Sequence, residues 1–482
     1  MFDYRSFALR KISSFGMKYL PFADIATDDV SLSRLVRLSL FQVTVGMALV
    51  LLVGTLNRVM IVELAVPASL VAGMLALPLV FAPFRTLIGH RSDMNVSALG
   101  LRRIPFIWKG TLYQFGGFAI MPFALLVLSG YGEAVDAPRW IGYSSAALAF
   151  LLVGAGVHMV QTVGLALATD LVREKDQPKV VGMMYVMLLL GMLVSALVFG
   201  VLLEDYSPGR LIQVIQGAAV FTVLLNMIAM WKQEVRDRAR AQAMKVQRQV
   251  AFSEAWQGLM ASPGMLRMLI VIGLGTFGFG MADVLLEPYG GQALGLSVAE
   301  TTKLTALFAF GALSGFATAS RILSAGGSPP RMGFIGAVIG IPGFAAIIIS
   351  SLAGGIPLFL LGVLLIGIGT GLFGHATLTA TIRAAPSERT GLALGAWGAV
   401  QATAAGIGVA LAGIIRDLLV GWQGDGIDSQ LPYTVVFMIE ILFLVVALIV
   451  ITPLLMKSGK ANQNTTRRAR MTKTSKTPVE VP

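Results

Sequence analysis

The sequence predicts an all-α integral membrane protein in which twelve transmembrane helices form two six-helix bundles. Three observations predict this class. Hydrophobic residues make up 56% of the 482 residues and charged residues only 13%, with a mean hydropathy of +0.79, whereas soluble domains average about 25% charged residues. Apolar stretches long enough to cross a bilayer, about 20 residues each, recur along the whole chain. The basic residues lie in alternate connections between those stretches.

The predicted spans follow one another through short connections, except at the middle of the chain. There the longest internal polar segment, residues 232–256, separates six spans from six. The predicted spans are residues 38–57, 65–83, 105–129, 141–169, 180–203, 211–231, 268–286, 304–320, 332–353, 356–382, 391–414 and 432–456.

The net charge of +12 is explained by membrane topology. An even number of spans puts both termini on one side, and 31 of the 37 Lys and Arg residues fall in segments on that side. The positive-inside rule therefore predicts that both termini are cytoplasmic. Because the charge is spread over alternate loops instead of one patch, no nucleic-acid partner is expected.

The two halves have matching cytoplasmic connections, with ATDLVREKDQPKVVG after span four and TATIRAAPSERTG after span ten. This layout resembles the major facilitator superfamily, in which the ligand site lies between the halves.

The two terminal segments have a different character from the spans. The N-terminal segment either lies on the membrane surface as an amphipathic helix or is a solvated lead-in. Basic residues of the tail are expected to contact anionic lipid. The predicted divisions are a cytoplasmic segment 1–37, a bundle 38–231, a loop 232–267, a bundle 268–456 and a disordered cytoplasmic tail 457–482.

The sequence offers no support for an enzyme. Two G-x-G-x-x-G matches, beginning at Gly273 and Gly369, lie inside apolar spans and not between a strand and a helix, so they do not indicate nucleotide binding. No zinc-protease, P-loop or Ser-His-Asp pattern is present, and the absence of cysteine excludes thiolate chemistry. We therefore predict no catalytic residues, no metal site and no required cofactor.

Few ionisable residues fall inside the predicted spans, and each is a candidate site because a charge in the bilayer core is energetically costly. Glu440 lies about 12 Å along span twelve; it is a candidate ligand-binding or proton-binding residue, or else an acid hydrogen-bonded to a neighbouring span. Asp283 and Glu287 are four residues apart and project from one face of span seven. Pro288 with Gly290 is expected to end that helix, which places the two acids near the outer interface, where a cap, an ion pair or a gate suits them.

Two of the three histidines, His158 and His375, fall in the corresponding spans four and ten. A neutral imidazole can ligate the magnesium of a chlorin, and adjacent small residues leave room for a flat macrocycle. An ordinary hydrogen bond is the alternative role. The candidate pigment-binding residues are therefore His158, His375 and Glu440.

Between spans two and three, Gly89 precedes Asp93 by four residues, and the basic pair Arg102 and Arg103 follows. This resembles the loop signature of the major facilitator superfamily, although four extra residues follow Asp93. An Asp at a helix end can pair with a basic residue or cap a neighbouring helix, and so hold the cytoplasmic side of the protein in one conformational state. A purely structural salt link is the alternative.

Three stretches resemble a more specific family: GTLNRVMIVEL (54–64), FRTLIGHRSD with LGLRRIPFIW (84–108), and DVLLEPYGG (283–291). They look like the PucC/LhaA family, also called the bacteriochlorophyll delivery family. The resemblance implies an assembly factor for light-harvesting complexes in the inner membrane of phototrophic bacteria, with antenna polypeptides and bacteriochlorophyll as partners and the pigment as cargo. It implies a gating or motif role for Gly89, His90, Arg91, Asp93, Arg102, Arg103, Asp283, Glu287, Pro288, Tyr289 and Gly290.

Two other functions remain open at this point. One is a proton-coupled transporter of a tetrapyrrole or another hydrophobic small molecule, for which Glu440 is the one candidate acid near the membrane midplane. The other is a pigment-free scaffold that only organises antenna helices.

Overall fold

The structure is a computed structural model that describes residues 31–80, 101, 103–130, 134, 136–173, 176–234, 252–384, 390–423 and 430–474. In these residues the predicted all-helical class and the twelve spans are confirmed. Eleven helices are long and apolar enough to cross a membrane, and a shorter apolar helix occupies the second position. The twelve apolar helices are α1 Leu32–Glu63, α2 Ala68–Val80, α3 Ile104–Ser129, α4 Arg139–Asp170, α5 Gln177–Leu202, α6 Pro208–Met230, α7 Met265–Leu294, α8 Val298–Ser324, α9 Pro329–Ile349, α10 Gly355–Ala384, α11 Thr390–Gln423 and α12 Leu431–Thr474. A further short helix, Phe252–Met260, precedes α7.

The ends of several helices follow from local sequence. Pro208 and Pro329 begin α6 and α9, since the first turn of a helix needs no donor from them. Ser297 and Glu300 form a capping box at the start of α8. Gly295 adopts a φ of 67° after α7, a left-handed conformation that glycine accepts without strain. Pro208 and Pro329 lie three residues before the predicted starts at 211 and 332, whereas α7 ends eight residues after its predicted end at 286 and α8 begins six residues before its predicted start at 304.

Two helices that meet between the halves are irregular. In α1, segments Val50–Leu56 and Val59–Glu63 are wound as π-helix, a rare form that frequently marks functional sites. In α7, the regular helix stops at Gly280 and resumes at Ala282. A polar side chain can reach the backbone groups that such a break leaves open.

The six helices before residue 232 form one half of the molecule, and the six after residue 267 form the other. We call the membrane side of Leu32 and Met456 the near side and the opposite side the far side. The halves pack through α2 against α11 and through α5 against α8. Glycines allow this approach: Gly413 packs on Ala72, and Gly200 packs on the side chain of Lys303.

Two sequence-based expectations are wrong. Pro288 and Gly290 do not end the seventh helix, which continues to Leu294. Nor is the tail disordered from residue 457, because α12 extends to Thr474; no proline interrupts that stretch before Pro478. Residues 1–30 of the predicted amphipathic segment and residues 475–482 of the tail lie outside the described residues.

Candidate functional site

The two sequence stretches 54–64 and 283–291 meet on the far side, at the boundary between the halves. The first lies in the π-wound part of α1, and the second lies in the part of α7 that follows the break. These segments pack on each other and on the start of α8. We call this contact the far-side junction. Residues more than 200 positions apart in the chain therefore form one polar site.

Asn57 and Pro288 form the most specific link in the far-side junction. A proline has no N–H, so Pro288 leaves the carbonyl of Val284, one helical turn earlier, without its usual donor. Asn57 lies in the other half, and its Nδ2 donates to the Val284 oxygen at 2.8 Å. Both residues are buried. This bond explains how the helix passes through Pro288 without ending: the freed carbonyl is satisfied from across the boundary.

Arg58 extends the same junction. Its guanidinium forms an ion pair with Glu63 and donates through Nη2 to the backbone oxygen of Leu296 in the second half at 2.9 Å. A side chain at Gly291 would meet Arg58 Nη2 at 3.0 Å, so this glycine leaves the space that the guanidinium fills. Tyr206 lies nearby in the α5–α6 connection, where burial and then the Glu63 carboxylate raise the pKa of its phenol to about 12.

Glu287 is the buried acid of the junction, with 3% of its surface exposed. Thr305 of α8 donates its hydroxyl to Glu287 Oε1, and a Cβ on Gly54 of α1 would collide with that oxygen. Among the described residues, Oε2 of Glu287 has no hydrogen-bond partner. The acid is thus held by one donor from its own half and fits only because the opposite half presents a glycine.

Further polar contacts join the halves on the far side. Asp417 of α11 accepts from the backbone N–H of Ser69 at 2.7 Å and pairs with Arg416 at 2.8 Å. Lys303 of α8 pairs with Glu204 at 2.8 Å near the end of α5. Nothing in the sequence predicts a role for these residues or for Thr305, because a single threonine or an interface charge gives no pattern that distinguishes it from an ordinary helix surface.

Glu440 has a different setting, inside the second half. Its side chain is fully buried, and Oε1 accepts from the backbone N–H of Ala282, where α7 resumes after its break. An acceptor at this point satisfies a donor that the interrupted helix leaves open. Glu440 thus makes the hydrogen bond to a neighbouring span that was weighed for it, and its ligand- or proton-binding role stays a prediction. Asp283, the next residue of α7, is exposed.

Two further residues of the 283–291 stretch have packing roles in the second half. Tyr289 is fully buried; its hydroxyl donates to the Ile347 oxygen at 3.1 Å, and its ring centroid lies 5.5 Å from those of Phe359 and Phe437. Gly290 is buried, and a Cβ there would approach Leu296 at 3.3 Å. All of these contacts of Tyr289 and Gly290 are with residues of the second half.

The structure separates the two histidines from the far-side junction. His158 is half-buried in α4. His375 is half-buried in α10, with its ring centroid 4.1 Å from that of Phe316. Its Nδ1 is buried and has no hydrogen-bond partner among the described residues, while the adjacent Gly374 borders open space.

Aromatic residues around His375 join the halves nearer the near side. Tyr185 of α5 lies 6.5 Å from Phe316 and 6.0 Å from Trp397 of α11, measured between ring centroids. Trp397 donates to the Thr377 hydroxyl at 3.3 Å. His375 could offer one ring nitrogen to the magnesium of a chlorin in the open space beside Gly374. A ligating histidine usually donates through its other nitrogen to a partner that orients the ring. Among the described residues, Nδ1 of His375 has no such partner.

Of the predicted loop signature, only Arg103 is described. Its guanidinium makes a two-pronged contact with Asp170 at the end of α4, at 2.6 and 3.3 Å, and Glu234 accepts from the backbone N–H of Arg103 at 3.0 Å. These contacts join the start of α3 to the end of α4 and to the segment that follows α6. Gly89, His90, Arg91, Asp93 and Arg102 lie outside the described residues.

Comparison with known proteins gives a family match over most of the chain. A family model described as PUCC protein matches residues 55–459. "Protein PucC" of Rhodobacter capsulatus is 68% identical over 462 residues, covering 95% of this chain and 100% of that protein. "Protein PucC" of Cereibacter sphaeroides is 58% identical over 91% of this chain and 96% of its own length. A more distant relative, "Bacteriochlorophyll synthase 44.5 kDa chain" of Rhodobacter capsulatus, is 28% identical over 89% of this chain and 96% of that one.

Solved structures confirm the predicted resemblance to the major facilitator fold. A bacterial homologue of the lysosomal transporter Spinster, in an inward-facing and occupied conformation, has a TM-score of 0.62 at 15% identity and covers 87% of this chain and 95% of that one. The nucleoside transporter NupG has a TM-score of 0.61 at 13% identity, with coverage of 88% and 99%. At these identities the likeness establishes the fold alone.

Proposed function

This chain belongs to the PUCC protein family, and from that membership we propose that it assists the assembly of light-harvesting complexes by binding bacteriochlorophyll for antenna polypeptides. It is a multi-pass membrane protein whose relatives include one named as a chain of a bacteriochlorophyll synthase. The observation that carries the proposal is the match to PucC proteins along almost the whole chain. Antenna polypeptides, bacteriochlorophyll and membrane lipid are the proposed partners.

The proposal includes no catalysis. No catalytic motif supports a reaction, and bacteriochlorophyll is taken as a cargo and not as a required cofactor. The charge asymmetry of the connections supports a bacterial inner membrane orientation with both termini in the cytoplasm.

His375 is the proposed contact to the pigment. It stands beside the open space at Gly374, the ring of Phe316 lies 4.1 Å from its own ring, and Tyr185 stacks on Phe316 at 6.5 Å. A neutral imidazole there would offer a nitrogen to the pigment magnesium, and aromatic side chains would pack on the macrocycle. His158, in the corresponding helix of the first half, is the second candidate.

The test is purification in mild detergent from pigment-replete cells, followed by absorption spectra and identification of bound polypeptides. We expect bound bacteriochlorophyll together with antenna polypeptides, and a clear loss of pigment in His375→Ala. Thr318→Ala, on an exposed face of α8, is the control. Antenna polypeptides without pigment would support the scaffold function instead, and neither pigment nor polypeptide would count against assembly altogether.

Proton-coupled transport is the second candidate, and Glu287 favours it. A buried acid at the boundary between two halves is placed so that its protonation can affect their separation. The fold is shared with transporters. If the protein is such a transporter, Glu287→Gln is expected to abolish the proton-dependent uptake or export of tetrapyrrole by vesicles. The same variant should leave the copurification of pigment and antenna polypeptides unchanged. Full transport in both Glu287→Gln and Glu440→Gln would exclude proton-coupled transport.

A further inference from the structure

A groove of about 480 Å³ opens on the outside of the first half, between α5 and α6. Val43 and Met47 of α1 lie along it together with Val198 of α5 and Phe221 of α6. Val198 and Phe221 are about half exposed, so this surface faces the bilayer and not the other half. A smaller cavity adjoins it and shares Val198 and Leu202.

The groove is long and almost entirely apolar. Along α6 it reaches from Arg210 to Leu225, a distance of about 22 Å at 1.5 Å per residue, compared with a hydrocarbon core of about 30 Å. The polar residues along it are Ser195, Arg210 and Gln213. Such a shape fits an extended hydrocarbon chain aligned with the helices.

A cation lies at the far-side end of this groove. Arg210 is exposed, and its Nε donates to the Leu202 backbone oxygen at 3.0 Å. Among the described residues it has no acidic partner, whereas Lys303 pairs with Glu204 and Arg416 pairs with Asp417 on the same side. The guanidinium therefore keeps donors for a ligand that approaches from the membrane interface.

We propose that the groove binds one anionic phospholipid of the far-side leaflet, with its phosphate on Arg210 and Gln213 and one acyl chain along α6. A guanidinium fits a phosphate because it offers paired N–H donors to two oxygens. The esterified tail of a neutral pigment would fill the apolar part but would leave the charge of Arg210 uncompensated. The charge at the entrance thus selects the lipid.

Gly217 keeps the groove open. It is exposed on α6, and a Cβ added there would meet nothing within 4 Å. Gly217→Leu therefore obstructs the groove without displacing a packed neighbour. Gly116 of α3 has equally open surroundings away from the groove, which makes Gly116→Leu its matched control.

The first experiment quantifies phospholipid retained by protein purified in mild detergent, by native mass spectrometry. We expect about one phosphatidylglycerol per chain, and about a tenfold loss of retention in Arg210→Gln, as removal of one charge-assisted contact predicts. Gly217→Leu is expected to show the same loss. Gly116→Leu and Arg139→Gln, the latter removing an exposed far-side base outside the groove, are expected to retain the lipid.

The second experiment measures thermal unfolding in bilayer discs of phosphatidylglycerol or phosphatidylcholine. Wild-type protein is expected to unfold at a higher temperature in the anionic lipid, and Arg210→Gln is expected to lose that difference while unfolding normally in phosphatidylcholine. Equal lipid retention in Arg210→Gln and wild type, or a neutral pigment or isoprenoid as the retained molecule, would overturn the proposal. Neither result depends on whether antenna polypeptides copurify, so the proposed function is tested separately.

Discussion

Glu440, which contacts the second part of α7, and Glu287, which belongs to it, are both buried glutamates, yet their surroundings differ. Glu440 lies inside the second half and accepts from the backbone N–H of Ala282 at the break in α7. Glu287 lies at the boundary between the halves, where Thr305 donates to it and Gly54 of the first half makes room for it. The Ala282–Glu440 and Thr305–Glu287 hydrogen bonds both lie within the second half, so they do not depend on whether the halves are together. The packing of Glu287 against Gly54 exists only when the halves are together.

This difference shows that a buried acid in a membrane helix cannot be assigned a role from its depth alone. A contact within one half contributes to the stability of that half. A contact across the boundary contributes to the equilibrium between joined and separated halves. Variants at the two sites should therefore change different measurements.

The largest effect is expected for Glu440→Leu. The substitution leaves the N–H of Ala282 buried without an acceptor, which costs about 2–3 kcal/mol, and the protein should unfold at a clearly lower temperature in detergent. Glu440→Gln keeps a carbonyl acceptor of the same length and should unfold close to wild type. If the leucine variant were as stable as the glutamine variant, the capping role of Glu440 would be wrong.

Gly54→Ala is expected to separate the halves without unfolding either one. The added methyl group meets Glu287 in the joined state, and such overpacking costs about 1–3 kcal/mol. The chain contains no cysteine, so a single Thr302→Cys reporter, buried in the junction, can be labelled with a maleimide. Labelling should accelerate about tenfold or more.

Gly73→Ala is the control for this prediction, because a Cβ at Gly73 meets nothing within 4 Å. It should leave the labelling rate of the reporter unchanged. A slower rate in Gly54→Ala than in Gly73→Ala would contradict a role for Gly54 in joining the halves.

Asn57→Ala should have a somewhat smaller effect on the same labelling rate. It removes the donor to the Val284 oxygen, and the unpaired carbonyl costs about 1–2 kcal/mol in the joined state. Pro288→Ala restores a backbone N–H that can bond this carbonyl within the helix. The effect of Asn57→Ala should therefore shrink in the Pro288→Ala background, and additive effects in the double-variant cycle would refute the link between the two residues.

The smallest effect is expected for Lys303→Gln. Its ion pair with Glu204 also crosses the boundary, but both side chains are substantially exposed, and such pairs contribute about 0.2–1 kcal/mol. The labelling rate of the reporter should change by about fivefold at most. A change as large as that of Gly54→Ala would mean that surface charge, and not the buried junction, holds the far side together.

The sequence predicted the spans well because hydrophobic length and basic flanks are local properties. Glu440 was a candidate because an acid in an apolar run is conspicuous, and it makes a hydrogen bond to the neighbouring seventh helix. Thr305 and Asn57 were not predicted as partners, since an uncharged polar residue in a helix gives no sign of what it faces. Pro288 was expected to end α7 because a proline lacks the backbone N–H that continues a helix. The sequence around Pro288 does not reveal that Asn57, 231 positions earlier, donates to the Val284 carbonyl that this proline leaves open.

By itself, the sequence determined the class, the number of spans and the division into halves, because the bilayer requires about 20 apolar residues for each helical crossing. It also carried the three stretches that resemble the family. Only the tertiary structure decided that two of these stretches meet, which acid caps a broken helix and which one lies between the halves. The physical reason is that hydrogen bonds between distant segments depend on how helices are placed in space, and helical periodicity within one segment does not encode that placement.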